Sequence, residues 1–392
     1  MRFFLSIIFL ALILSTTSVA QELKTDTISV QVPSKEAPAK YPLVEDGPIK
    51  NVIFIIGDGT GLAQLYSGQL NLVGKDGRLH VQRMPVSGIV NTHAANRLIT
   101  DSAAGATAYS CGAKTNNGMI GYLPNGEHCK TALELAQDQG KSTGLVATST
   151  ITHATPASYA AHIDSRAKQA EIAAQYLNSG VDVFLGGGKE FFIPQSEEGS
   201  RREDDRNLID EFTSNGYAFV DDATTLKSEN SDHLLGLFSL AGMPSETRTP
   251  TLAEMSTKAI DVLSKNDNGF FLMIEGSQID WAGHENNSDY AMREVADFDA
   301  MIEAVIKFAM EDGETLVVVT ADHETGGMTL QSSANENEMT IAWTTGYHTG
   351  IPVPLMAFGP HAIEFTGWHD NTEIGKLVAR LAGLGTLPQI IE

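Results

Sequence analysis

A three-layer α/β sandwich, with a central and mostly parallel sheet covered by helices on both faces, is the fold class that this sequence predicts. Two observations lead there. From Asn51 onward, short apolar runs alternate with helical patterns, as they do where parallel strands are joined through crossover helices. Several of those runs end in polar clusters, and in open α/β sheets ligands bind beyond the carboxyl ends of the strands.

Taken along the chain, residues 1 to 20 hold Arg2, an apolar run from Phe3 to Leu14, and small residues at Ser18 and Ala20, the layout of a cleavable export signal. The run is too short for a membrane span, so a periplasmic or secreted protein with no stable membrane anchor is expected. Residues 21 to 47, rich in Pro, Lys, Glu and Thr, read as an exposed lead-in. Strands are expected at Asn51 to Ile56, Ser142 to Ala147, Val181 to Leu185, Phe270 to Ile274, Thr315 to Val319 and Val353 to Phe358. Residues 195 to 250, polar and turn-rich, read as a surface insertion on a single domain covering 21 to 392, and Gln331 to Met339 reads as a short polar loop. There is no internal repeat.

With 49 acids against 26 Lys and Arg, the chain has a formal charge of -23, which argues against nucleic acid or an anionic membrane as partner. An enzyme for anionic substrates would need local positive charge, and bound metal ions could supply it. The two cysteines, Cys111 and Cys129, are too few for a disulfide framework in an exported chain of this size, and whether they are bridged is left open.

The most informative stretch is Thr100-Asp101-Ser102-Ala103-Ala104-Gly105-Ala106-Thr107, where small residues leave one hydroxyl uncrowded at the start of a helix. Thr100 or Asp101 can cap that helix, and its free amides and positive dipole end would face an anion over Ser102. Asp58 lies in Ile55-Ile56-Gly57-Asp58-Gly59-Thr60-Gly61, where glycines allow a sharp turn and no Lys-Ser or Lys-Thr pair makes a nucleotide phosphate loop. Glu275 follows a strand, and Asp280 and His284, four apart, share a face if a helical turn comes next. Asp322 and His323 follow the apolar run Leu316 to Thr320, and both can serve one site only if the strand breaks there, as Gly326 and Gly327 suggest. His348 sits in a glycine-bounded loop.

Taken together, Asp58, Glu275, Asp280 and Asp322 crowd one rim and cannot all stay ionised without cations. The histidines, with no cysteine ligand, suit Zn²⁺ in nitrogen and oxygen sites, while the oxygen-only end suits Mg²⁺. Three divalent ions, about +6 against about -4 from these acids, would turn the pocket positive. Thr155, in His153-Ala154-Thr155-Pro156, offers a neutral oxygen to a hard cation, and Arg166 a planar fork for two phosphate oxygens.

With these blocks in this order, the chain resembles the alkaline phosphatases over nearly all of the mature sequence. The resemblance implies metal-dependent hydrolysis of small phosphate monoesters, with Ser102 as nucleophile and Arg166 binding the phosphate. It implies two Zn²⁺ and one Mg²⁺: one zinc on Asp58, Asp322 and His323, the other on Asp280, His284 and His348, and magnesium on Asp58, Thr155 and Glu275. It also implies a homodimer. His153 and Trp281 stand where the best-known bacterial pattern has an acid and a lysine, a pairing that looks like the animal and cold-active marine branches. A histidine serves hydrated Mg²⁺ less well than a carboxylate, and Trp281 removes a cation near the phosphate, so weaker phosphate binding and faster product release are expected. The rivals are a related phosphodiesterase, for which Arg166 has less use, and a non-catalytic zinc- or phosphate-binding protein, which needs no exposed hydroxyl at Ser102. A sulfatase would need a Cys-x-Pro-x-Arg motif that is missing here.

Overall fold

Ten strands form one sheet in the spatial order Gly367–Asp370, Val86–Asn91, Val353–Phe358, Thr315–Thr320, Asn51–Gly57, Phe270–Gly276, Ser142–Thr150, Val183–Gly187, Leu234–Leu237 and Ala218–Val220. The structure is a computed structural model and describes residues 23–30, 37–335 and 337–391. All six apolar runs expected as strands are strands of this sheet. Only Val353–Phe358 runs against its neighbours, pairing antiparallel with both Val86–Asn91 and Thr315–Thr320.

The alternation of side chains along a strand explains the layers. From the wholly buried central strand, Val52, Phe54 and Ile56 enter one apolar cluster with helices Ser102–Cys111, Ala132–Asp138, Ala154–Ala160 and Asn371–Leu381. Ile53 and Ile55 enter a second with helices Leu252–Leu263 and Ser288–Asp312 on the opposite face. Burial on both faces is why these strands read as continuous apolar runs rather than as alternating ones. Helix Leu252–Leu263 starts in a capping box between Thr251 and Glu254, and Ser288–Asp312 stops at Gly313, whose φ of 78° ends the helix in the left-handed region.

Register brings distant residues to one rim. Ile56 pairs with both Glu275 and Thr320, so Asp58, Glu275 and Asp322 leave the three central strands at nearly one level.

Two stretches differ from the sequence reading. Residues 195–250 supply the two strands at one end of the sheet, of only 3 and 4 residues, too short for a legible periodicity. The loop expected at Gln331 to Met339 is narrower, because Met328–Ser332 and Glu338–Trp343 form an antiparallel hairpin whose outer ends are polar and exposed. Lys24–Ser29 adds a third strand to it. Cys111, at the end of helix Ser102–Cys111, is bonded to Cys129. The expected export signal lies outside the described residues, among which no helix is long and apolar enough to cross a membrane.

Candidate active site and metal centre

Ser102 is the first residue of helix Ser102–Cys111, and Asp101 rather than Thr100 caps it, its Oδ1 accepting from Ala104 N at 3.0 Å. The small residues have a packing reason. A Cβ on Gly105 would stand 3.0 Å from both Cβ and the carbonyl oxygen of Asp322, so a larger residue would push the helix and the strand end apart by a few tenths of an ångström. Ser102 Oγ is then 3.3 Å from His323 Nε2.

The strand break expected at Asp322 is present. Thr315–Thr320 ends one residue before Ala321, and Gly326 and Gly327 adopt φ of 90° and 58°. The following two-residue strand, Glu324–Thr325, pairs with His348–Thr349, which lays the His348 ring on that of His323, 3.5 Å between centroids. Gly59, at φ 71°, is equally required: a Cβ there would be 2.6 Å from Cα of Asp280.

Three groups of ligand atoms result, each within 4.8 Å: Asp280, His284 and His348; Asp58, Asp280 and His323; and Asp58, His153 and Glu275. Asp322 joins the second, its Oδ2 3.3 Å from His323 Nε2. Helix Gln278–Glu285 puts Asp280 and His284 on one face as their spacing suggests, with Nε2 of His284 3.4 Å from Asp280 Oδ2. His284 and His348 have Nδ1 on backbone oxygens, of Gly346 and Thr100, both at 2.9 Å, which turns both Nε2 atoms toward Asp280.

The inner end shows buried oxygens without partners. Both carboxylate oxygens of Asp58, Oε1 of Glu275, Oδ2 of Asp322 and Oγ1 of Thr155 are buried with no hydrogen-bond partner. Unpaired buried acceptors are costly, and carboxylates more so, unless a cation completes them. Burial accordingly pushes Glu275 up to about 7 and Asp322 up to about 6, the latter helped by the charge of Asp280. Asp58 is raised well above the carboxylate range by burial and by the fields of Asp322, Asp280 and Glu275. The imidazoles move the other way: burial lowers His323 and His348 to about 4, leaving them neutral and ready to donate a lone pair to a metal. The donor set, carboxylates plus neutral imidazoles with no thiolate, fits divalent cations.

Beside Ser102 opens a cavity of about 280 Å³ lined also by Asp101, His153, Arg166, Asp280, Trp281, His284, Tyr347 and His348. Arg166 is held there by two contacts, Nη1 to Asp101 Oδ2 at 3.1 Å and Nη2 to His153 Nε2 at 3.2 Å. It lies on a turn. The Trp281 indole meets the His153 ring edge-on at 6.2 Å and fills the space where Gly242 lacks a side chain, a Cβ there coming within 2.4 Å of the indole.

A family model described as alkaline phosphatase matches residues 49–339. Alkaline phosphatase 4 of Bacillus subtilis is 43% identical over 421 aligned positions, covering 86% of this chain and 89% of that one. This chain belongs to the alkaline phosphatase family. Among solved structures, alkaline phosphatase from the Antarctic bacterium TAB5 is 36% identical, with a TM-score of 0.80 over 87% of this chain and 100% of that chain. A histidine-to-glutamate variant of the TAB5 enzyme, with Mg bound in its M3 site, matches with a TM-score of 0.79 and 36% identity over 86% of this chain and 99% of that one. Like its relatives, this alkaline phosphatase family member is a metal-binding hydrolase, and Asp58, Glu275, Asp280, His284, Asp322, His323 and His348, expected as ligands from the sequence, stand together on one rim.

Several supporting groups were not singled out by the sequence reading. Asp101 was read as a cap, yet its second oxygen holds Arg166 and accepts from Gly118 N at 3.0 Å. Ser149 and Ser277 donate to Glu275 Oε2 at 3.1 and 2.6 Å, and Thr325 donates to Asp280. Only adjacency to Ser102 could have drawn attention to Asp101, and nothing in the pattern marked the hydroxyls.

Proposed function

We propose that this chain hydrolyses phosphate monoesters to an alcohol and inorganic phosphate through a phosphoserine at Ser102, with two Zn²⁺ and one Mg²⁺ as cofactors. The observation that carries the reading is the set of unpartnered buried oxygens of Asp58, Glu275, Asp322 and Thr155 gathered beside a helix-start serine. Asp58, Asp322 and His323 would hold one zinc, Asp280, His284 and His348 the other, and Asp58, Thr155 and Glu275 the magnesium, with the His153 ring close by. Bound there, divalent cations supply the positive charge that favours a serine alkoxide and steadies the oxygens of phosphoryl transfer.

The chain's own groups do the positioning. Arg166, its fork fixed by Asp101 and His153, grips two phosphoryl oxygens, while the first amides of helix Ser102–Cys111, which lack intrahelical partners, face the same group. Ser102 Oγ then attacks phosphorus in line, the bond to the alcohol oxygen breaks, and water later cleaves the phosphoserine. Two free oxygens for the Arg166 fork favour a monoester over a diester.

On the sequence features at residues 1 to 20, we extend the proposal to an exported enzyme whose catalytic domain covers 21 to 392. The family resemblance supports a homodimer. Comparing a monoester and a diester of the same alcohol, with and without chelator, tests the reading: fast, chelator-sensitive monoester hydrolysis is expected, and equal or faster cleavage of the diester would overturn it.

A further inference from the structure

The mouth of the cavity is asymmetric. On one side stand Arg166, His153 and Trp281. On the other, the rings of His323, His348 and Tyr347 are stacked in sequence, with centroids 3.5 and 4.5 Å apart, so that a column of aromatic faces runs from the Ser102 hydroxyl outward to the half-exposed Tyr347. Tyr347 also lines a second cavity of about 510 Å³, shared with Leu98, Ile99, Arg97 and Asn117. Leu98 is 88% exposed, the highest value among the exposed large apolar side chains of the described residues, and Ile351 and Tyr347 are more than half exposed. Segment 98–99 lies beside Gly350, where a Cβ would stand 3.9 Å from both Ile99 Cγ1 and the Leu98 carbonyl oxygen.

The lip is tied to the reacting centre. Asn117 accepts from Asp101 N at 3.2 Å and donates to the Ile99 carbonyl at 3.1 Å, while the Thr100 carbonyl holds His348. Segment 96–100 is therefore braced against the same groups that orient Ser102, which a generic surface patch would not need.

We propose that Leu98, Ile99 and Tyr347 form a subsite for the organic part of the ester, and that it favours a flat or apolar alcohol, such as an aryl group, over a small polyol. The inference rests on the monoesterase reading: with the phosphoryl group held between Ser102 and Arg166, the alcohol must project through the mouth, and Tyr347 is the residue common to both cavities. A ring lying against Tyr347 and Leu98 buries apolar surface on both partners, whereas a glyceryl group would gain little there.

The test compares 1-naphthyl phosphate with glycerol 2-phosphate on the metal-loaded wild type and on Leu98→Ser, with Leu98→Met as the conservative control. We expect the wild type to prefer the naphthyl ester, and Leu98→Ser to lower the ratio of the two kcat/KM values about five-fold, through KM, while Leu98→Met keeps it. An unchanged ratio, or an equal loss on both esters, would overturn the proposal. So would a fall in molar mass of Leu98→Ser by light scattering, which would make the lip a contact between copies of the chain. If the wild type hydrolysed neither ester, the functional reading would fail, and calorimetry with phenylphosphonate and methylphosphonate would still decide the subsite, which predicts tighter binding of the phenyl compound and a narrower gap in Leu98→Ser.

Discussion

The two ends of the ligand cluster solve the same electrostatic problem differently. At the inner end, Asp58, Glu275 and Asp322 are wholly buried, carry unpartnered oxygens and are pushed toward neutrality. At the outer end, Asp280 is flanked by His284 and His348, each anchored through Nδ1 to a backbone carbonyl, and the His284 side chain is 35% exposed. The inner end is thus built around missing positive charge, while the outer end is pre-arranged by hydrogen bonds and open to solvent. Ser102 and His323 lie at the junction. Stability should therefore depend on cations mainly through the inner end, and exchange of ions with solvent should run mainly through the outer.

The largest effect falls at the junction. Ser102→Ala should lower monoester hydrolysis at least ~1,000-fold and abolish the labelled phosphoprotein trapped by acid quench, because the attacking oxygen is gone while the ligands remain. Retained burst kinetics would show that another group is phosphorylated.

Unequal ligand removal would sharpen the contrast next. Asp322→Asn should cost about 100-fold in activity without recovery in excess zinc, since two buried neighbours keep their unbalanced charge. His284→Ala should cost about ten-fold and regain activity as zinc is raised, because its site is exposed and otherwise intact. Equal rescue of both variants would erase the distinction between the ends.

Chelated protein should also respond to pH in a way set by the inner end. Above about pH 7, the unfolded chain has ionised carboxylates and mostly neutral histidines, whereas in the folded chain burial raises Glu275 to about 7 and Asp58 well above the carboxylate range, so that these groups give up their protons late. The folded state binds more protons, so its stability falls as pH rises, by about 1.4 kcal/mol per pH unit for each extra proton. Below that range the buried neutral histidines, lowered to about 4 or 3, oppose the trend by favouring the folded state at higher pH. Urea midpoints should therefore drop from pH 7 to 8 after chelation and stay level in metal-loaded protein; parallel curves would count against the inner end as the cation-dependent one.

The smallest predicted effect concerns the phosphate side. Trp281→Lys should tighten inhibition by inorganic phosphate about three-fold and slow product release, by adding a cation beside Arg166. An unchanged inhibition constant would mean that the indole does not limit phosphate binding.

How much of this was legible in the sequence follows from periodicity and spacing. The central strands announced themselves because burial on both faces makes them apolar throughout, and the candidate ligands Asp58, Glu275, Asp322 and His323 followed because they sit near strand ends, with Asp280 and His284 four apart on one helix. The short strands Ala218–Val220 and Leu234–Leu237 stayed hidden because three or four residues carry no period. In the site, single-role readings were the limit: Asp101 was legible as a cap but not as the anchor of Arg166, since its second oxygen meets a residue 65 positions away. The ring stack of His323, His348 and Tyr347 was likewise invisible, because it depends on pairing between Glu324–Thr325 and His348–Thr349.

The central claim is that separated carboxylates and imidazoles converge to bind cations on which the reaction depends. Elemental analysis of the purified protein, with hydrolysis of a chromogenic monoester followed at alkaline pH as ions are withdrawn by chelator and returned, tests it most directly. The account predicts about two zinc and one magnesium per chain, activity lost on chelation and restored by those ions. Protein without bound zinc that hydrolyses the ester at an unchanged rate in chelator would contradict it.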